Sequence, residues 1–142
     1  MASSFSTNLG IEKPNTGELS GTWGDVTNFN FDIFDRVIGA SDLTASDLTT
    51  DLTIRLGSPT SGSTNVQTGM FAVINLKDSG SDLGGTNVVT IAPNTSSKFF
   101  IIKNSLSGSR AATIQQGSGA TVTIPNGNTD IVFCDGNGST AA

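Results

Sequence analysis

The spacing of large apolar residues changes character twice along the chain. Residues 1–20 are polar and interrupted by Gly10, Pro14 and Gly17, which predicts an extended arm that gains order only against a partner. From Thr22 onward the apolar residues fall at helical spacing: Trp23, Val26, Phe29, Ile33 and Val37, with Phe31, Phe34 and Ile38 beside them. This predicts one helix over residues 22–38. Thr22 is placed to act as N-cap, Asp25 stands three residues later where a carboxylate helps, and Gly39 suits a left-handed C-terminal turn. The helix is apolar over more than one stripe. The second stripe either packs on the chain's own sheet or meets other chains, and the second reading is preferred because a small β domain covers only one stripe.

Residues 41–53 hold a short imperfect repeat, Ser41-Asp42-Leu43-Thr44, Ser46-Asp47-Leu48-Thr49 and Asp51-Leu52-Thr53. It is too short for a solenoid. Its three aspartates lack the alternating oxygen ligands and terminal Glu of a calcium loop, so the segment reads as a solvated linker. Beyond it the chain alternates strand and turn signals. Leu52, Ile54 and Leu56 share one face of a period-two strand, and Thr121-Val122-Thr123-Ile124 forms another. Met70–Ile74, Phe99–Ile102 and Ile131–Cys134 are instead apolar on both faces, and both faces then need cover. With Val88–Ile91 and Ala111–Ile114 the count reaches seven strands, joined by turns at Gly84-Gly85, Ser107-Gly108, Gly117-Ser118-Gly119 and Pro125-Asn126-Gly127. The predicted fold is mostly β: a small antiparallel sandwich or barrel, preceded by an extended N-terminal arm and one helix. The expected division is 1–40 for attachment and oligomerisation, 41–50 as linker, and 51–142 as the β domain.

Composition sharpens this picture. Charged residues are 13% of the 142, about half the share usual for a soluble domain, while Ser and Thr number 37, so hydroxyl groups must cover much of the outside. Low surface charge combined with doubly apolar strands is what subunits show when part of their surface is buried in a homo-oligomer. Seven Lys and Arg against twelve Asp and Glu offer no phosphate-binding patch, which excludes nucleic acid as a partner. The single cysteine, Cys134, cannot form an intrachain disulfide and sits in an apolar run, where it reads as a small buried hydrophobe. No stretch has the length of a membrane span, and the N-terminus lacks a signal-peptide pattern, so membrane insertion is not expected and the two sequons, at Asn94 and Asn137, are chance matches.

The segment Gly21–Asp35, GTWGDVTNFNFDIFD, resembles one found at the head of bacteriophage tail-fibre and related virion appendage proteins; Trp23, Gly24, Asn28, Asn30, Phe31 and Asp35 carry the likeness. The second half is similar as well, through Lys98–Asn104, Ser107-Gly108, Thr121–Gly127 and Ile131–Gly136. The resemblance implies a homotrimeric fibre whose N-terminal part docks on tail or baseplate proteins and whose β modules extend toward the host surface. It also implies assembly in the host cytoplasm and a final location in the virion tail. Such fibres commonly continue past the Cys-Asp-Gly element, whereas here Gly138–Ala142 follow, which points to the proximal part of a longer fibre or to a short adaptor. The candidate interface residues are Trp23, Gly24, Val26, Asn28, Phe29, Asn30, Phe31, Ile33, Phe34 and Val37.

Catalytic chemistry finds little support. With no histidine, the Ser-His-Asp and Cys-His constellations cannot be built, and most zinc sites lose a usual ligand. No glycine-rich element has phosphate-loop spacing before a helix. Asp130 and Asp135 flank a strand, and two carboxylates suffice for glycoside hydrolysis, but they read more simply as a strand start and a turn. No catalytic residue, metal or cofactor is expected. The competing readings are a capsid decoration protein and a distal receptor-binding module, the latter weakened because the only Trp lies in the helix and the Phe residues lie in apolar runs.

Overall fold

The computed structural model describes residues 3–45, 49–54, 67–78 and 87–142. A small hairpin of β1 (Ser4–Phe5) and β2 (Glu12–Lys13) precedes α1 (Trp23–Ile38). Then come β3 (Ala40–Ala45), β4 (Thr49–Thr53), β5 (Val73–Asp78), β6 (Asn87–Ala92), β7 (Lys98–Asn104), β8 (Ala112–Gln115), β9 (Val122–Ile124) and β10 (Thr129–Cys134). These eight strands build two four-stranded sheets: a first sheet ordered β10-β7-β5-β3 and a second ordered β4-β6-β8-β9.

The chain reaches this arrangement by switching sheets at almost every strand. β3, β5 and β7 lie parallel in the first sheet, and β4, β6 and β8 lie parallel in the second. Each pair β3/β4, β5/β6 and β7/β8 is thus one rung of a short coil. The last two strands reverse: β9 pairs antiparallel with β8, and β10 pairs antiparallel with β7. The β-rich class and the two facing sheets agree with the sequence, but the expected antiparallel pairing holds only at the closing strands. A parallel pair needs a long crossover, commonly a helix, and none was visible between the strands. Here a strand of the opposite sheet serves as the crossover.

Strand alternation explains the core. Leu43 and Ala45, Leu52 and Ile54, Ile74 and Leu76, Val89 and Ile91, Phe100 and Ile102, Ala112 and Ile114, Ile124, and Val132 and Cys134 all point between the sheets. Each strand supplies every second residue, so one face of each sheet is given to the core and the other is left outward. A second cluster of Phe29, Ile33 and Met70 seats α1, with Leu9 and Ile11 of the arm packed against it. This cluster lies at the end of the sandwich where β4 packs beside the 3₁₀ turn Thr68–Met70. Gly69 is required there: a Cβ would stand 2.5 Å from the Thr53 carbonyl oxygen and 2.6 Å from the Ile54 nitrogen. Lys98 closes the same turn, its Nζ donating to the carbonyls of Gly69, Met70 and Phe71 at 2.6, 2.7 and 2.8 Å.

Several expectations change at this level. The segment read as a linker over 41–50 is largely strand, because the alternation of Leu43 and Ala45 inward with Asp42 and Thr44 outward extends the first rung; Ser46, Asp47 and Leu48 lie outside the described residues. The apolar run from Met70 is divided, with Met70 seating the helix and β5 beginning at Val73. The arm is not simply extended. It forms a hairpin, and the Ser96 hydroxyl donates to the Thr7 carbonyl (3.0 Å) while the Ser97 N–H donates to Asn8 Oδ1 (2.9 Å). Thr22 is at the N-cap position without a side-chain cap bond, and Gly39 has φ −84°, so the helix ends in extended rather than left-handed backbone. Arg55 and Leu56 of the predicted strand, and the Gly84-Gly85 turn, lie outside the described residues.

Candidate interaction surface

Helix α1 has two unlike faces. Val26, Phe29 and Ile33 are buried within the chain, Ile33 completely. About a third of a turn around the helix, Trp23, Phe31, Phe34 and Ile38 are 64%, 63%, 55% and 83% exposed. Of the ten candidate interface residues, Val26, Phe29 and Ile33 therefore place their apolar area inside the chain and are not available to a partner. Val37 is half-buried. Asn28 is exposed, as is Gly24, around which a Cβ would meet nothing within 4 Å. Asn30 is engaged within the chain, where the Glu12 N–H donates to its Oδ1 (3.1 Å) and its Nδ2 donates to the Glu12 carbonyl (2.9 Å). That side chain imitates a neighbouring strand and fastens the hairpin to the helix. Ile38, in the second stripe but outside the candidate set, is the most exposed of the large apolar residues on the helix.

The outward face of the first sheet continues this apolar character. Ala40, Val73, Ile101 and Ile131 lie side by side across its four strands, and Phe99 and Phe133 pair in the adjoining row. Phe99, Ile131 and Phe133 are 57%, 67% and 64% exposed. One row further along, the face turns polar, where Asp42, Asn75, Lys103 and Thr129 are neighbours. Asp42 accepts from Lys77 Nζ at 2.6 Å and from Asn75 Nδ2 at 2.9 Å, which holds its carboxyl below the usual carboxylate range, the Lys77 bond most strongly. The signal for this surface was in the sequence, since the two doubly apolar strands β7 and β10 are paired here. What the sequence did not reveal was that their outward rows coincide and join those of β3 and β5.

Three described groups capable of chemistry, Cys134, Lys98 and Asp135, are held in structural roles. Cys134 is buried, and burial pushes its thiol up to about 11, against nucleophilic use. Lys98 is drawn down to about 8 by burial, but its three donors are taken by the three carbonyls. Asp135 accepts from the N–H groups of Asn137 (3.0 Å) and Ala142 (3.2 Å), folding residues 135–142 into a closed loop rather than presenting a free carboxylate beside Asp130. Among the described residues no group of three His, Cys, Asp or Glu side chains could hold a metal ion, and no helix is long and apolar enough to cross a membrane. No protein-family model, curated protein sequence or solved structure matches the chain.

Proposed function

We propose that the chain is a non-enzymatic structural protein of a bacteriophage virion, the proximal part of a tail fibre that assembles as a homotrimer, attaches to tail or baseplate proteins and supports host adhesion. The observation that carries this reading is the exposed stripe of Trp23, Phe31, Phe34 and Ile38, which lies in the segment whose sequence resembles the head of such fibres. Thr27, Phe31, Phe34 and Ile38 follow one another at steps of four, three and four, the spacing that keeps a seam facing neighbouring helices of a bundle. An isolated chain would leave this seam in water. Three helices around a common axis cover it without using Val26, Phe29 or Ile33, which already serve the chain's own core. Trp23, at the start of the helix beside the bare Gly24, is available to a tail or baseplate protein, and indole side chains are frequent anchors at interfaces.

The test is incorporation. Phage carrying only Trp23→Ala or Phe34→Ala should yield particles depleted of this protein, while the purified variants, diluted to single chains, melt as equally dilute wild type, because both side chains are exposed in the single chain. Immunogold labelling should place the wild-type protein on tails. Labelling spread over capsids would replace this reading with that of a decoration protein, and labelling confined to fibre tips would favour a distal receptor-binding module.

A further inference from the structure

The outward face of the first sheet raises a separate question, because nothing in the helix seam explains it. One apolar row is in register across all four strands and the adjoining row pairs Phe99 with Phe133; neither carries a charge, and the apolar character stops at the row of Asp42, Asn75 and Lys103. We infer that this face, centred on Phe99, Ile101, Ile131 and Phe133 and bordered by Val73, is a second contact between copies of this chain, continuing the helix seam down the body of the oligomer. The inference rests on the homo-oligomeric reading above and specifies where the β domains meet.

Another copy is selected as the occupant by area. With side chains of about 150–250 Å² each, the exposed parts of this face and the adjoining Ile38 amount to on the order of 600 Å² per chain. That is the upper end of what a monomer leaves wet, about 300–600 Å². Three such faces gathered about the axis of the helix seam remove about 1,800 Å² in all, in addition to what the seam itself covers. A flat, uncharged apolar sheet face is also complementary to itself, since no like charges are brought together when copies meet.

Light scattering and cysteine trapping test this on the full chain. Wild type at micromolar concentration should have the mass of an oligomer, and Phe133→Lys should weaken association by at least about tenfold, the loss expected when a central anchor is replaced by a charge. Thr123→Lys, on the outward face of the second sheet, should associate as wild type. Ile131→Cys should form intermolecular disulfides under mild oxidation and Thr123→Cys should not, a reading that stands even if Phe133→Lys perturbs folding. A wild-type protein of single-chain mass overturns the inference, as do undiminished association of a folded Phe133→Lys and equal trapping at positions 123 and 131. Failure here is separable from failure of the proposed function: an oligomer found on tails that Phe133→Lys does not weaken would sink only this contact, a monomeric protein would sink the homotrimer with it, and an oligomer absent from tails would sink only the fibre reading.

Discussion

The two sheets of the sandwich are nearly equivalent on their inward faces and opposite on their outward ones. Both present Ile, Leu and Val to a shared core, and in both most of the inward residues are almost fully buried. Outside, the second sheet shows Asp51, Thr90, Gln115, Thr113 and Thr123, linked by contacts such as Gln115 Nε2 donating to Thr90 Oγ1 at 3.1 Å. The first shows Phe99, Ile131 and Phe133. Folding requires only the inward set, so the outward difference answers to something other than the core. Strand propensity is no explanation either, since Thr serves a pleated surface as well as Ile or Phe does. What separates the sheets is whether their outer faces are suited to water.

Neighbouring residues on β7 break this comparison most sharply. Phe100 is fully buried and Phe99 beside it points outward. Phe100→Ala should cost about 3–5 kcal/mol of stability, while Phe99→Ala, measured where the chain is dilute, should change it by less than about 1 kcal/mol. Urea titration of both variants decides the matter. Comparable losses would mean that Phe99 already packs on its own chain.

The helix offers the same contrast on a smaller scale. Ile33→Ala removes a completely buried side chain from the cluster with Phe29 and Met70 and should cost about 2–5 kcal/mol, whereas Phe34→Ala should leave the thermal transition within about 0.5 kcal/mol of wild type. If Phe34→Ala is the more damaging in the dilute protein, the helix is turned about its axis relative to the structure described.

These contrasts also show what the sequence could disclose. The extent of α1 was readable because helical period and end signals are local: Thr22 and Gly39 bracket it as expected, even though neither makes the expected cap. The inward residues of most strands were readable for the same reason, from period-two alternation. Parallel pairing was not, because whether Val73 lies beside Ile101 or elsewhere depends on the path of the chain through the other sheet. β3 was missed because its inward positions, Leu43 and the small Ala45, are too sparse to stand out among Ser, Asp and Thr. The candidate site was half legible. Two stripes on the helix were visible, but a wheel of spacings cannot say which stripe the fold claims, and here it claims Val26, Phe29 and Ile33.

The arm should separate internal cover from external docking. Sequence alone predicts that a chain lacking residues 1–20 melts like the full chain, with the arm ordered only by a partner. The structure places Leu9 and Ile11 over the Phe29–Ile33–Met70 cluster and ties residues 7 and 8 to the turn between β6 and β7. Leu9 and Ile11 are only partly buried there, and their burial is offset by the entropy lost in ordering the arm, so the arm adds little to the stability of the isolated chain. Truncation should lower the melting temperature by a few degrees, corresponding to about 1 kcal/mol, without unfolding the sandwich. A collapse of the transition would make the arm part of the core, and no change at all would make it dispensable to the isolated chain.

The smallest expected effect is also the most local. The described ion pairs of the β region involve the first sheet: Lys77 with Asp42 at 2.6 Å and Arg110 with Asp78 at 2.6 Å. Asp78 also accepts from the Ser107 N–H at 2.7 Å, and its carboxyl is held below the usual range by its bonds from Ser107 first and by the Arg110 charge after them. Asp42 is lowered in the same direction by Lys77. A carboxylate depressed in the folded state contributes stability that is fully present above its unfolded value, and loses it as pH falls through the folded one. Below that value both aspartates are neutral, and Arg110, which is buried, keeps its charge beside an uncharged partner. Acid should therefore loosen the first sheet before the second, because the described ion pairs of the β region involve the first, while the outward face of the second is held chiefly by hydroxyl and amide groups that do not titrate. Hydrogen exchange at pH 7 and near pH 3 should show earlier loss of protection in β3 and β5 than in β6 and β8. Asp78→Asn should reduce that pH dependence, since its side chain carries no charge at either pH, at the expense of lower stability at neutral pH. Uniform loss of protection over both sheets would show that the pairs are surface ornaments and that acid acts on the sandwich as a whole.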